Sequence, residues 1–281
     1  MKPLQGKIAV VTGASRGAGR GIALVLGAAG AIVYVTGRSV RNNSTRPDLP
    51  NTTIEDTAEL ITARDGIGIP IRVDHTNDAE IGTLFARVRH EQGRLDLLVN
   101  NAWGGYTDSD RDISFDAVFW EQPISRWDTM FTAGVRSHLA TTHAAIPLMR
   151  IQRHGLIINT TLDIPPTHYD CGLFYLTAKI TINYLTLGMA YDLNQRSGID
   201  IAVVGLAPGW MRTEAVIRGV FPHTLPTPER LHETESVEYS GRAIVALATD
   251  PHVLHKSGKI LSVRELVREY GFTDVDDQQP A

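Results

Sequence analysis

Short apolar runs and longer amphipathic stretches alternate along the chain. Ile8–Val11, Ile32–Val35, Ile69–Val73, Leu95–Asn100, Gly155–Asn159, Asp200–Gly205 and Lys259–Ser262 are rich in aliphatic and β-branched residues. They are mostly continuous rather than alternating, the pattern of strands covered on both faces. Between them, Gly17–Ala29, Ile54–Arg64, Asp78–Gln92, Ser125–Ile151, Phe174–Gln195 and Ser236–Ala248 place apolar residues at helical spacing. Strand–helix alternation predicts right-handed βαβ units and hence a parallel sheet. The expected class is α/β: one doubly wound domain over residues 1–281, core about 5–265, with a seven-stranded parallel sheet flanked by helices.

Three segments break the rhythm. Arg41–Thr53 is polar with two prolines and reads as a loop and a candidate mobile segment. Thr107–Trp120 mixes acidic and aromatic residues, and Thr213–Glu235 carries Pro222, Pro226 and Pro228, more like a lid than a core element. The polar tail, 271–281, is expected to fray. No internal repeat or low-complexity linker is visible.

Composition narrows the function class. The net charge is −4 with both signs interspersed, so neither nucleic acid nor an anionic membrane is a natural partner. The one cysteine, Cys171, excludes a disulfide framework, and the ten histidines show no zinc spacing, so no metal is expected. No signal-like apolar region precedes the first strand, and no apolar run reaches the ~18 residues of a membrane span. These readings predict a soluble cytoplasmic protein.

The candidate chemistry sits in two short strings. Thr12-Gly13-Ala14-Ser15-Arg16-Gly17-Ala18-Gly19 follows the first apolar run and opens a helix. Glycine allows a tight turn and close approach of backbone to phosphate. A helix N-terminus adds free N–H groups and a positive dipole end. A bare glycine motif is weak, but a strand before it and a helix after it strengthen it. Downstream, Tyr175-Leu176-Thr177-Ala178-Lys179 puts a phenol and an ammonium four residues apart, on one helical face. A phenol titrates near ~10, and a nearby cation favours its ionised form.

The spacing Gly-x-x-x-Gly-x-Gly resembles that of the short-chain dehydrogenase/reductase family, of the classical type. So do Asp74 after the third strand, Asn100-Asn101-Ala102 after the fourth, the Tyr-x-x-x-Lys pair, and Ala207-Pro208-Gly209-Trp210-Met211-Arg212-Thr213 after the sixth. The C-terminal stretch from Ala246 through Gly271, with Gly134-Val135-Arg136-Ser137-His138, is similar to the member-1 subgroup of that family. The resemblance implies a Rossmann-type fold, a nicotinamide cofactor, and hydride exchange with a carbonyl or secondary alcohol. It assigns proton transfer to Tyr175, and gives Lys179 the double role of tuning the phenol and holding the nicotinamide ribose. The implied cofactor-binding residues are Gly13, Ser15, Arg16, Gly17, Ala18, Gly19, Arg38, Asp74, Asn101, Ala102, Tyr175, Lys179, Pro208, Gly209 and Thr213.

The second strand ends Val35-Thr36-Gly37-Arg38, without the carboxylate that usually holds a free ribose 2′-hydroxyl. Arg16 and Arg38 can converge there, and two guanidinium forks suit a 2′-phosphate. The expected cofactor is NADP(H); the alternative is two solvated arginines. The chain departs from the family twice. A serine that polarises the carbonyl is missing from Asn159-Thr160-Thr161-Leu162-Asp163: ungapped, Leu162 falls on its position. Thr161 is the favoured replacement, with Asp163 or no replacement as alternatives. The asparagine that anchors a water relay in the family is replaced by Gly134. Trp103, Tyr106, Phe119, Trp120, His168, Tyr169 and Trp210 are candidates for an apolar pocket wall or for core. The expected partners are a small carbonyl or alcohol substrate and a second copy of the chain, as homodimer or homotetramer, through the two long helices. The rival function is an NADP-binding sensor or scaffold with vestigial catalysis.

Overall fold

All seven expected apolar runs become strands of one parallel sheet in a computed structural model, which describes residues 1–105, 113, 117–165, 169, 172–218 and 233–275. The strands are β1 (Ile8–Val11), β2 (Ile32–Gly37), β3 (Ile67–Arg72), β4 (Leu97–Asn100), β5 (His154–Thr160), β6 (Asp200–Ala207) and β7 (Ile260–Ser262), in the order β3-β2-β1-β4-β5-β6-β7. Every neighbouring pair is parallel. Pro70 sits in β3, where a missing N–H is tolerated because β3 is an edge strand.

The pleat sends alternate residues to opposite faces. Ala9 and Val11 join a core with α1 (Gly17–Ala28) and α2 (Ile54–Thr62). Ile8 and Val10 join a second core with α3 (Asp78–Gln92). Most of these side chains are fully buried, each worth roughly 1.5–3 kcal/mol relative to exposure.

The long helices differ from expectation. The stretch read as Ser125–Ile151 is α4 (Ile124–Thr129), a π-helical turn (Met130–Arg136) and α5 (Ser137–Gln152). The next is α6 (Leu173–Ala190) followed by a π-helical turn (Tyr191–Arg196). Periodicity does not register such a widened turn, because it shifts the stripe by only one residue. Among the described residues, the short α7 (Glu214–Ile217), α8 (Tyr239–Thr249) and α9 (Val263–Tyr270) follow, with a 3-10 turn (Val253–Lys256) between the last two.

Two loop expectations change. Residues 41–53 are non-helical, as read, but pack down: Leu49 is buried, and Thr53 closes a capping box with Asp56 on α2. The start of the tail is not frayed, since the buried Asp274 carboxylate accepts from the Ser236 backbone N–H at 2.7 Å. Most of the candidate lid, 219–232, and the tail beyond 275 lie outside the described residues. Among the described residues, no helix is long and apolar enough to cross a membrane, and no three His, Cys, Asp or Glu side chains converge as a metal site.

Candidate active site

Strand order reverses between β1 and β4, and a doubly wound sheet opens a crevice at that point. The glycine loop leaves β1 on one side of the crevice, and Asn101 and Ala102 leave β4 on the other. Thr12 ties them together: its hydroxyl accepts from the backbone N–H of Asn101 (2.8 Å) and Ala102 (2.9 Å). The Asn101 side chain donates back to the Thr12 carbonyl at 3.0 Å. Gly13 (φ +63°) leaves no room for a side chain, since a Cβ there would lie 2.8 Å from the Ala102 Cα. Gly17 (φ +56°) opens α1 in the left-handed region that glycine tolerates.

A cleft of about 770 Å³ fills this crevice. Of the predicted residues, Gly13, Ser15, Arg16, Gly17, Ala18, Arg38, Asp74, Asn101, Ala102, Tyr175, Gly209 and Thr213 line it. Gly19, Pro208, Lys179 and Thr161 do not. Gly19 instead packs inside α1 against the Asn101 side chain, and Pro208 follows β6 just before the lining Gly209.

Cations gather on the glycine-loop side. The Arg16 guanidinium donates to the Ser39 hydroxyl (3.2 Å) and the Thr45 hydroxyl (3.1 Å), both neutral partners. Burial, and then the neighbouring Arg46 charge, pull Arg16 down to about 10. Arg38 is exposed at the cleft edge. Asp74 is pushed up by burial, but the Thr76 N–H and hydroxyl, with Arg38 and Arg72, hold its carboxyl below the usual range.

An anion already occupies the phosphate-type position. The Glu214 carboxylate accepts the Gly17 N–H at 2.8 Å and lies 3.4 Å from the Arg20 guanidinium. Thr213, just before it, caps α7 by accepting from the Val216 N–H. The first turn of α1 therefore holds an oxyanion through the groups that a diphosphate needs, and the loop fits a dinucleotide.

The other part of the cleft carries the phenol and the ammonium. Tyr175 lines the wall; Lys179 is buried behind it, with its Nζ 5.6 Å from the Tyr175 ring centre. Lys179 donates to the Thr160 carbonyl at 3.3 Å and lies 4.4 Å from the centre of the Trp103 ring, a cation–π distance. Burial pulls Lys179 down to about 8. Nearby, burial and then the Lys179 charge push His138 down to about 3, so this histidine is neutral.

Trp103 and Gly134 explain each other. The Trp103 ring meets Tyr175 edge-on, with centroids 5.5 Å apart. A Cβ on Gly134 would fall 2.6 Å from Trp103 Cε3. The bulky residue after Asn101-Ala102 thus takes up the space of a side chain at 134.

Thr161 is placed differently from expectation. Its hydroxyl donates to the Lys179 carbonyl (3.1 Å) and the Asn183 Oδ1 (2.5 Å), away from the cleft. The alternatives do not line the cleft either: Asp163 is exposed, and the Leu162 carbonyl accepts from Asn183. Of the proposed aromatic wall, Trp103 and Trp210 line the cleft. Phe119 and Trp120 are exposed and meet edge to face, and Tyr169 is exposed. Tyr106 and His168 lie outside the described residues. Sequence reasoning missed Arg46 and Glu214. A loop has no periodicity to aim an arginine, whereas an acid directly after the predicted ligand Thr213 was a usable signal.

The sequence profile of the short chain dehydrogenase family matches residues 7–219. The chain belongs to the short chain dehydrogenase family. Its relatives include dehydrogenase/reductase SDR family member 1 of Mus musculus, 36% identical over 98% of this chain and 85% of that protein. The Homo sapiens protein of the same name is 35% identical over the same shares. Among solved structures, a putative dehydrogenase from Xanthomonas campestris superposes with a TM-score of 0.80 at 25% identity, covering 97% of this chain and 93% of that one. A 7α-hydroxysteroid dehydrogenase complexed with NADH and 7-oxo glycochenodeoxycholic acid gives 0.71 at 25% identity, covering 92% and 93%. The chain is therefore a member of an oxidoreductase family.

Proposed function

We propose that this dehydrogenase interconverts a small to medium apolar carbonyl compound and its alcohol with NADP(H). The observation that carries the reading is a single cleft lined both by Tyr175 and by Arg16 and Arg38, with no carboxylate following β2. When bound, the nicotinamide supplies or accepts the hydride. Every other step belongs to side chains. Tyr175 gives its phenolic proton to the carbonyl oxygen, or takes one from the alcohol in reverse. The Lys179 ammonium favours the ionised phenol; its burial and its Trp103 partner fix its position. With burial holding Lys179 near 8, this support fades as pH rises through that value.

Thr161 serves as a positioning residue, pinning α6 to the end of β5, and the carbonyl-polarising serine has no hydroxyl counterpart in segment 160–163 aimed at the cleft. The Gly13, Gly17 and Gly209 backbone and the Thr213 side chain would flank the diphosphate, Asp74 and Arg38 the adenosine. The Glu214 carboxylate must give up the Gly17 N–H when the diphosphate arrives.

The same reading includes a homo-oligomer in the cytoplasm. Ile180, Tyr184, Leu187 and Tyr191 form an exposed apolar stripe on α6 and the turn after it, the kind of face that pairs across a two-fold axis. Calorimetry with NADPH and NADH tests the cofactor assignment. Tighter NADPH binding supports it; equal affinity or an NADH preference refutes it.

A further inference from the structure

The loop between β2 and α2 reaches into the cleft although nothing in its sequence pattern aims it there. Thr45, Arg46 and Leu49 all line the cavity. Arg46 is only 7% exposed, and its fork grips Asp48 in bidentate fashion, Nε to Oδ1 at 2.9 Å and Nη2 to Oδ2 at 2.7 Å. Such a pair fixes the plane of the guanidinium. The loop also fixes Arg16. The Thr45 hydroxyl holds one Arg16 nitrogen and shares a 2.7 Å hydrogen bond with Ser39, which holds the other. The Thr45 backbone N–H donates to Ser39 as well, at 3.1 Å. Two hydroxyls orient Arg16 without neutralising it.

Two guanidinium groups are thus held close together in a partly buried cleft. Their mutual repulsion is felt by Arg16, whose affinity for its proton Arg46 weakens. Asp48 on the Arg46 fork and the Glu214 charge offset part of this repulsion, and a phosphate monoester reaching the two guanidinium groups from the cleft would offset more of it. The exposed Arg38 adds a third cation at the rim.

We propose that Arg46 is a specificity-determining residue for the ribose 2′-phosphate, acting with Arg16, and that Asp48 positions its fork. The proposal rests on the NADP(H) reading and adds the β2–α2 loop to the cofactor site.

Calorimetry on the full chain with two probes, 2′,5′-ADP and 5′-AMP, isolates the 2′-phosphate because the ligands differ only there. The wild-type protein is expected to bind 2′,5′-ADP more tightly. Arg46→Met should weaken 2′,5′-ADP about 10- to 100-fold, the scale of hydrogen bonds to a charged partner, and leave 5′-AMP unchanged. Arg46→Lys keeps the charge but loses the fork, so it should fall in between. Asp48→Asn should lower 2′,5′-ADP affinity in the same direction. If the wild type prefers 2′,5′-ADP and both Arg46 variants keep that preference, the Arg46 assignment is overturned while the NADP(H) reading stands. If the wild type shows no preference, both fall. Equal loss for both probes would make the loop a purely structural element and also overturn the proposal.

Discussion

Replacing Glu214 by glutamine should tighten cofactor binding. The Glu214 carboxylate takes the Gly17 N–H at 2.8 Å and pairs with Arg20 at 3.4 Å, with the side chain 26% exposed. A diphosphate at the α1 N-terminus competes for that N–H. A hydrogen bond to a charged acceptor is worth about 1.5–3 kcal/mol and a neutral one about 0.5–1.5. A partly exposed ion pair adds up to ~1 kcal/mol. Glutamine keeps a weaker neutral bond and loses the ion pair. It should therefore cost the arriving diphosphate about 1–2 kcal/mol less to displace, or about 5- to 30-fold in affinity. Removing a negative charge beside the bound diphosphate acts in the same direction. NADPH fluorescence titration of both proteins reads the difference. The same variant should also bind free pyrophosphate more tightly. Unchanged or weaker NADPH binding by Glu214→Gln would refute the competition argument.

Glu235 offers a pH test. Burial pushes its carboxyl up to about 7; the Gly209 N–H opposes this and Asp274 adds to it. The folded state thus holds a proton that the unfolded state has released, and stability falls as pH rises from about 4.5 to about 7. Glu235→Gln should be more stable than wild type at pH 8 by a few kcal/mol at most, and lose that advantage below pH 5, in denaturant melts at both pH values. Thr161→Ala leaves the Asn183 acceptor without its donor and should cost about 1–3 kcal/mol of stability. Its turnover should drop far less than the ~10²–10³-fold expected for a lost oxyanion donor, and Thr161→Ser should restore the melting temperature. Light scattering should show the wild type as a dimer or tetramer, with Tyr184→Glu, in the middle of the exposed α6 stripe, shifted to monomer.

The sheet was legible because its inner strands are buried on both faces and read as unbroken apolar runs; β5 began one residue before its run, and edge strand β3, with exposed Ile67 and an internal proline, two residues before. The widened turns at Met130–Arg136 and Tyr191–Arg196 were hidden, since one extra residue hardly disturbs a helical stripe. Helix α9 was missed although the Ser262–Glu265 capping box marks its start. In the site, the glycine loop and Tyr175 that spacing picked out line one cleft, because backbone elements carry them. At Thr161, spacing gives only the backbone position, and the rotamer turns the hydroxyl to Asn183. Spacing failed at Arg46, which is aimed by contacts within a loop rather than by any period. Trp103 and Gly134 were each noticed, but only three-dimensional contact shows them as one exchange of volume.

The most direct test of the account is absorbance at the reduced-nicotinamide band while the wild-type protein and Tyr175→Phe are offered a panel of apolar ketones, aldehydes and secondary alcohols. The account predicts turnover of at least one member by wild type, faster with NADP(H) than with NAD(H), and near-complete loss in Tyr175→Phe with NADPH affinity retained. Wild-type turnover that survives in Tyr175→Phe, or no turnover of any member by a protein that binds NADPH, would contradict it.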